Sequence, residues 1–522
     1  MSACDVAIIG YGPTGMTLAA LLGQMGHRVV VLERYSELYN LPRAACFDDE
    51  IMRTFQKLGL VEEISRGAEV QRGYEWINAS GETLVDFEYD NPAAGGWAAL
   101  YMMFQPYIEA VLDRHDKALP NVEVRQGVTV SEIEQDGEAV TLRGTGPDGE
   151  AVTVRASYAV GADGGNGFTR SKLSQKVDDY GFQENWLVCD FRLNDGVVLP
   201  KFRQVCDPAQ PTSIVNIGPG HHRFSFMLNP GETAEHATQH EGVWSRVSKY
   251  LSKDDAEIIR VVNYVFRSRL ADRWRHGRVF LAGDAAHEMP PFLAQGMCSG
   301  IRDSHNLAWK FDLVLNGKAG DALLDTYQAE REPHVRFITE KAIELGRVQT
   351  TRDPTLARER DERLLAKRKA NQGPDKLRYP GLSGGLIAGN GAFFPQGVVA
   401  ADGRKRLFDD IVGSGWCIVS EPGVLDALSP TRLEEWKAFG GRTAVVGGPK
   451  TTGALEDVDG TYANWFAAHS CSLAVVRPDW YVYGTARDGH GLAELLDRLA
   501  RSLKPEASWL RHERSQDLTL PT

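Results

Sequence analysis

The sequence predicts an α/β protein: a Rossmann-type dinucleotide-binding domain, a β-sheet layer inserted into it, and a further α/β unit towards the C-terminal end. Three observations predict it. The turn Gly10-Tyr11-Gly12-Pro13-Thr14-Gly15 directly follows a short apolar run and opens a helical pattern. The stretch 175–266 is rich in strand-like segments with Pro and Gly between them. At 522 residues the chain is too long for one core, since a domain typically takes roughly 100 to 200 residues, and strand and helix signals resume after about Leu382.

The elements follow in order. Residues 6–9 are an apolar strand and 28–32 a second one. Between them Leu18, Leu21, Leu22 and Met25 recur at helical spacing, with Gly26 where a C-terminal cap belongs. Helices are expected over about 49–58, stopped by Gly59, and 107–119, stopped by Pro120. Short β-like runs between 122 and 158, with turn signals at Asp136-Gly137 and Asp148-Gly149, read as antiparallel hairpins. In the inserted layer the clearest strands are 186–193, 213–217 and 223–228. A glycine-rich segment around 277–300 leads into a helix over about 296–315, and the charged stretch 351–379, with Pro354 and Pro374, reads as a solvated helix plus linker. Strands at 416–419, 443–446 and 473–476 mark the last unit. The expected domains are 1–174 and 267–375 for dinucleotide binding, the second part including a long helix, 175–266 for the β-layer and 380–522 for the C-terminal unit.

Composition narrows the function. Seventy acids against 58 bases give a formal charge of −12 with no basic patch, so nucleic acid is not an expected partner. Seven scattered cysteines without C-x-x-C spacing indicate neither a disulfide framework nor a zinc site, and no metal is expected. No window approaches 18 consecutive apolar residues and the start lacks a basic, apolar leader, so a cytoplasmic protein without a membrane span is expected.

The strongest chemical signal is the glycine turn, whose close backbone approach lets a pyrophosphate rest on a helix N-terminus carrying a partial charge of roughly +0.5. Glu33 follows Gly15 by 18 residues, near the spacing of the acid that binds an adenosine ribose. The plain alternative is a structural turn with Glu33 as a surface acid. No second fingerprint occurs, because Gly389-Asn390-Gly391 lacks the third glycine, so any other dinucleotide visits without such a cradle. A second signal is Gly161-Ala162-Asp163-Gly164 at a strand end, with Arg170 after it. The third is RVFLAGDAAHEMPPFLAQGMCSGIRDSHNLAWK, residues 278–310. There a buried strand delivers Asp284, Pro290 and Pro291 stiffen a loop, and Gly296 opens a helix whose amides can face a ligand. Asp284 reads equally well as a turn device.

This trio of motifs resembles the single-component FAD-dependent aromatic hydroxylases, the para-hydroxybenzoate hydroxylase superfamily. The branch of 3-(3-hydroxyphenyl)propionate hydroxylase-like enzymes is the nearest in pattern, through LPRAACFDDEIMRTFQKLGL (41–60), FQPYIEAVL (104–112), RFSFMLNPGE (223–232) and VRPDWYVYG (476–484). The resemblance spans nearly the whole chain. It implies FAD as cofactor, NADH or NADPH as electron donor, and a thioredoxin-like C-terminal domain. It implies too that Gly10, Gly12, Pro13, Thr14, Gly15, Glu33 and Arg34 hold the adenosine diphosphate half, and that Arg43 and Gln105 meet the phosphate and ribityl region. Asp284 takes the ribityl hydroxyls, Gly296 and Met297 lie under the flavin pyrimidine edge, and Asp163 serves both flavin and nicotinamide handling. The plainer readings are Arg43 as a surface ion pair, Gln105 as a helix cap and Asp163 as a turn former.

The implied reaction is hydroxylation of a phenolic or related heteroaromatic ring by NAD(P)H and dioxygen through a flavin hydroperoxide, in a dry pocket. The alternative within flavoenzymes is an oxidoreductase or halogenase-like relative acting on a natural-product intermediate, but the W-x-W-x-I-P element of the halogenases is absent. Trp186, Phe224 and Met227 of the β-layer, with Pro290, are candidates to line the substrate site, and ordinary core packing is the plain reading of each. The candidate catalytic residues are Asp48, Pro291 and His287, with Asp49 and His222 as further choices of base; Asp49 reads equally as the cap of the helix it precedes. Two departures from the family pattern bear on substrate: Ala294 stands where Gly is common, and Cys46 where His is. The C-terminal unit has no C-x-x-C, so Cys417 reads as buried filler and the unit's expected role is packing or homodimerisation.

Overall fold

The computed structural model describes residues 2–173, 176–374, 377–449 and 451–503; the expected boundaries at 174, 175 and 375, and residues 504–522 of the expected last domain, lie outside them. Two compact units emerge: Met1–Asn91, Ala98–Ser304 and Val335–Tyr379 form the first, and Pro92–Trp97, His305–His334 and Pro380–Thr522 the second.

In the first unit, Ser2–Ile9 is the middle strand of an eight-stranded sheet. It pairs in parallel with Ala151–Gly161 on one side and Val29–Glu33 on the other. Val6, Ala7 and Ile8 are wholly buried, as the unbroken apolar run of a parallel strand covered on both faces requires. Val279–Leu281 and Val122–Gln126 extend the sheet outward, again in parallel. The carboxyl ends of these five strands therefore share one edge, and that edge carries the glycine turn, Glu33, Asp163 and Asp284. The hairpin reading of 122–158 is corrected for its first run: Val122–Gln126 pairs in parallel with Val29–Glu33, and only Thr129–Gln135, Val140–Thr145 and Ala151–Gly161 run antiparallel through the two Asp-Gly turns.

Helix Asp49–Leu58 ends on Gly59 in the left-handed conformation, as read. Its cap is Asp48 rather than Asp49: Asp48 is extended and its carboxylate accepts from the Ile51 amide at 3.2 Å.

A second eight-stranded sheet contains the expected strands as Val177–Leu193, Thr212–Asn216 and His221–Met227. It is wider than the sequence suggested. Ala256–Ala271 runs the length of Val177–Leu193, and the hairpin Gly73–Asn78 with Thr83–Glu88 joins the far edge. Leu187, Cys189, Phe191, Ile214, Phe224 and Phe226 fill one face beneath Val243 and Val247 of helix His240–Val247. Trp186, Arg223 and Val215 point to the opposite face by the two-residue period of the strands. A three-stranded sheet of Cys46–Asp48, Leu100–Met103 and Ala68–Val70 completes this unit.

The second unit is built on a seven-stranded sheet. Cys417–Ser420 pairs in parallel with Arg442–Gly447 and antiparallel with Leu473–Val476, which forms a hairpin with Val482–Ala486. With helices Pro430–Phe439, Thr461–His469 and Gly489–Leu503 this is the expected thioredoxin-like arrangement. Cys417 is buried, which pushes its thiol up to about 12 and leaves it a packing residue.

Candidate active site

The turn 10–15 is built for close approach of backbone to backbone. Gly10 has φ 105°, and a Cβ there would lie 2.5 Å from the Ala162 carbonyl oxygen at the end of the neighbouring strand. A Cβ on Gly15 would overlap the Gly10 carbonyl, whereas one on Gly12 would meet nothing within 4 Å and points into open space. Pro13 opens helix Pro13–Gln24, where its missing N–H costs no hydrogen bond. Thr14 is wedged between two other segments, since a Cβ on Gly283 would come to 2.6 Å from its Oγ1 and one on Gly300 would overlap it. Ser304 Oγ donates to the Thr14 carbonyl at 2.7 Å. Glu33 accepts from the Tyr11 amide at 2.7 Å and the Tyr35 amide at 3.0 Å, and Arg34 lies exposed over the Tyr35 ring. The open face at Gly12, on a helix N-terminus and beside a carboxylate, fits the diphosphate and ribose of a dinucleotide.

Opposite lies the loop with Arg43. Gln105 is neither a helix cap nor exposed: Phe104 holds the cap position, and the buried Gln105 amide accepts from the Arg43 and Ala44 amides and donates to Glu109. Glu109 also takes the Arg43 guanidinium, so Arg43 is a half-exposed ion pair. The same loop is clamped from the second sheet by Arg223. Its guanidinium grips the fully buried Asp190 at 2.5 and 3.0 Å and donates to the Arg43 and Pro42 carbonyls at 2.6 and 3.0 Å. Replacing Arg223 with Ala strands Asp190, with Arg260 at 3.7 Å as the remaining counter-charge among the described residues. A loss near the lower end of the roughly 3–5 kcal/mol typical of broken buried pairs is expected, read as a lowered urea midpoint together with weaker cofactor retention.

Asp163 and Asp284 close the other side. Asp163 Oδ2 accepts from the amide and hydroxyl of Thr169 at 2.8 and 3.1 Å. Its Oδ1 is buried with no partner among the described residues, and burial holds its carboxyl above the usual range. That orphaned acceptor suits a hydroxyl group. Asp284 projects from the short turn Gly283–Ala285, solvent-exposed yet surrounded by enough protein that burial raises its carboxyl, against the pull of His287, Arg43 and Arg170. An accessible carboxylate so enclosed is on the floor of a cleft. Tyr264, 45% exposed, senses Asp284 and Arg43 among its charged neighbours and so faces the same space.

Helix Gly296–Leu315 begins beside this cleft, with Gly296 and Met297 half-buried. Pro290 is buried and Pro291 exposed at the start of a one-turn helix, Pro291–Leu293. Phe292 of that turn sits 6.1 Å from the ring of Trp186 and 6.5 Å from that of Phe266. Trp186 and Met227 are cross-strand partners on this face.

Four expectations are corrected by placement. Phe224 is fully buried on the opposite face of its sheet, packed among Phe191, Phe226 and Tyr250, so it lines core rather than cleft. His222 shares that face and is bound to the Pro200 carbonyl, with its imidazole pushed down to about 4 by burial. Asp48 and His287 are both spent inside the protein. Asp48 caps its helix and accepts from Arg302 at 2.5 Å and Gln295 at 3.1 Å. His287 Nε2 meets Asp303 at 2.6 Å, both fully buried, and Asp303 also accepts the Gly283 amide. These are brackets that fix the loop and the Asp284 turn. Asp49, in the first turn of its helix, is only half-buried. The sequence reading missed Arg302, Glu109, Asp303 and Gly300; the only advance signal was charge on an otherwise apolar helical run for Arg302 and Asp303.

Comparison with known proteins agrees with the geometry. The profile of the FAD binding domain family matches residues 3–342, and that of the HcaD C-terminal domain residues 391–502. The chain is 57% identical over 511 residues to a probable NADH-specific resorcinol 4-hydroxylase of Rhodococcus jostii (strain RHA1), covering 97% of this chain and 96% of that one. It is 34% identical to a 3-(3-hydroxy-phenyl)propionate/3-hydroxycinnamic acid hydroxylase of Mycobacterium sp. (strain JLS), covering 92% and 89%. The crystal structure of the flavin-dependent monooxygenase PieE in complex with FAD and substrate shares the fold, with a TM-score of 0.80 over 96% of this chain and 99% of that one at 22% identity. Among the described residues no helix is long and apolar enough to cross a membrane. A dinucleotide cradle facing an aromatic-walled cleft, in a chain so related, identifies a member of the FAD-dependent aromatic hydroxylases, enzymes that place one atom of dioxygen on a phenolic ring using a reduced nicotinamide.

Proposed function

We propose that the ring is resorcinol or a similarly small, uncharged dihydroxybenzene, that oxygen enters at C4, and that NADH is the donor. The observation that carries this reading is the 57% identity to the resorcinol 4-hydroxylase across 97% of the chain. The cleft supports it. The ring would rest on an apolar wall of the partly buried Tyr89, Phe202 and Ala294, backed by the buried Cys46, Leu100, Met102, Val215 and Ile217. The guanidiniums beside it are already matched: Arg223 to Asp190, and Arg302 to Asp48 and Glu50. A substrate carboxylate would have to break one of those pairs, whereas a neutral diol would not.

FAD supplies the hydride acceptor and the means of activating dioxygen. Gly10, Gly12, Pro13, Thr14 and Gly15 hold its diphosphate, Glu33 and Arg34 its adenosine, Arg43 and Asp284 its ribityl side, and Asp163 offers a free acceptor towards the same cleft. Gln105 acts through the Arg43 loop that it clamps. The first amides of helix Gly296–Leu315, at Gly296 and Met297, favour negative charge on the flavin ring. Pro290, Pro291, Trp186 and Met227 wall the ring side and exclude water. Asp48 and His287 are positioning residues, holding Arg302 and the Asp284 turn. The free, buried state of all seven cysteines accords with a reducing cytoplasm.

The test is a phenol panel with NADH and NADPH. Resorcinol is expected to accelerate flavin reduction by NADH and to yield 1,2,4-trihydroxybenzene with water and NAD+. A preference for 3-(3-hydroxyphenyl)propionate or for NADPH would overturn this reading.

A further inference from the structure

Five described residues other than glycine adopt positive φ: Ala294, Asn371, Asp402, Ser470 and Trp480. Asn and Asp visit this region readily because a short polar side chain can bond to the local backbone. Alanine has no such compensation. Ala294, at φ 56° and ψ 30°, ends the turn Pro291–Leu293 in the left-handed conformation that glycine adopts without cost. Nothing in the turn itself asks for a side chain: the Ala294 amide donates to the Pro291 carbonyl at 2.8 Å, and the Ala294 carbonyl accepts from the Cys298 thiol at 3.9 Å. The disfavoured backbone therefore serves to put a methyl group somewhere.

That place is the apolar wall. Ala294 packs against the cluster of Cys46, Met102 and Val215 and, like Tyr89 and Phe202 beside it, is only partly buried, at the edge of the wall. It is also held still. The next residue, Gln295, is buried, its carbonyl oxygen accepting from Arg302 at 2.8 Å and its amino group donating to Asp48 at 3.1 Å. Ala294 is thus pinned by the turn and its successor by a buried ionic bracket, and the methyl cannot swing aside to admit a longer group.

We propose that Ala294 is a specificity-determining residue, whose methyl closes the ring site against phenols that carry a chain where resorcinol carries a hydroxyl. The inference rests on the aromatic-diol reading given above. One methyl group in an apolar site discriminates by about 10- to 200-fold, which is the scale needed to separate such substrates.

The experiment compares Ala294→Gly and Ala294→Asn holoenzyme with the parent, on resorcinol and on 3-(3-hydroxyphenyl)propionate. Glycine relieves the backbone and opens the wall, so the ratio of kcat/KM for resorcinol over the propionate should fall at least about tenfold, mostly through KM for the propionate. Asparagine tolerates the same backbone and lengthens the side chain, so KM for resorcinol should rise while the flavin content stays that of the parent. A glycine variant that gains thermal stability yet keeps the ratio within about twofold would leave Ala294 a strained turn residue and refute the inference alone. Failure of the parent to turn over either phenol would instead sink the substrate reading and this inference with it.

Discussion

Gly15→Ala is expected to give colourless protein. Helix Pro13–Gln24 starts against the Gly10 carbonyl, and a methyl on Gly15 would occupy the space of that oxygen. The oxygen belongs to the backbone of the cradle, so it cannot yield without opening the turn. Overpacking of this kind costs about 1–3 kcal/mol, equivalent to roughly 5- to 150-fold weaker FAD binding if the turn distorts, and the apo-protein should lose stability as well. Gly12→Ala separates the two effects. Its Cβ meets no protein atom within 4 Å and its φ of −89° suits any residue, so the apo-protein should melt as the parent does while FAD binding still falls. Flavin absorbance per protein and the apo-protein melting temperature read both quantities. Full flavin loading of the Gly15 variant would mean that the cofactor does not lie on this turn.

The contrast between these glycines shows what the sequence could tell and what it could not. Local chemistry was legible. The glycine turn, the strand bearing Glu33, helix Asp49–Leu58 with its Gly59 stop and helix Gly296–Leu315 all lie where periodicity and turn residues put them. The face of a strand was not. Residues 186–189 are all buried and none is charged, so nothing in their polarity distinguishes Trp186, facing the cleft side, from Leu187, facing the helix His240–Val247. Phe224 was grouped with Met227 for this reason, since only the register with Val177–Leu193 puts Met227 on the face of Trp186 and Phe224 on the other. Long-range charge pairing was equally hidden. Arg302 and Asp48 stand 254 positions apart, and an aspartate that reads as a free base becomes a bracket once that arginine is beside it. Asp48 and Asp49 are chemically identical candidates for a helix cap, and only the extended backbone of Asp48 decides between them.

In the second unit the largest loss should follow Glu330→Ala. Glu330 Oε2 receives Lys310, Arg477 and Asn306, each at 2.8 Å, and its Oε1 receives the Leu386 amide at 2.8 Å. Lys310, Glu330 and Arg477 are wholly buried. Asp479, bonded to Arg477 at 2.6 and 3.0 Å and to Trp309 at 3.0 Å, supplies the second negative charge, so two cations balance two anions. Removing Glu330 leaves one cation uncompensated in the interior, for which about 3–5 kcal/mol is the usual cost, a large share of a typical stability of roughly 5–15 kcal/mol. Burial alone would raise the Glu330 carboxyl, but Arg477 and Lys310 outweigh it and bring it down to about 2 from 4.5. A folded value below the unfolded one means that the carboxylate's contribution is complete above about pH 4.5 and is lost as the pH falls towards 2. At 1.36 kcal/mol per unit this amounts to about 3 kcal/mol. The parent's thermal midpoint should therefore drop between pH 4.5 and 2 by more than that of Glu330→Gln, which keeps the shape and at most part of the hydrogen bonding but has no charge to titrate. Parallel acid profiles for the two proteins would show that the cluster is held by packing around it rather than by its own charge balance.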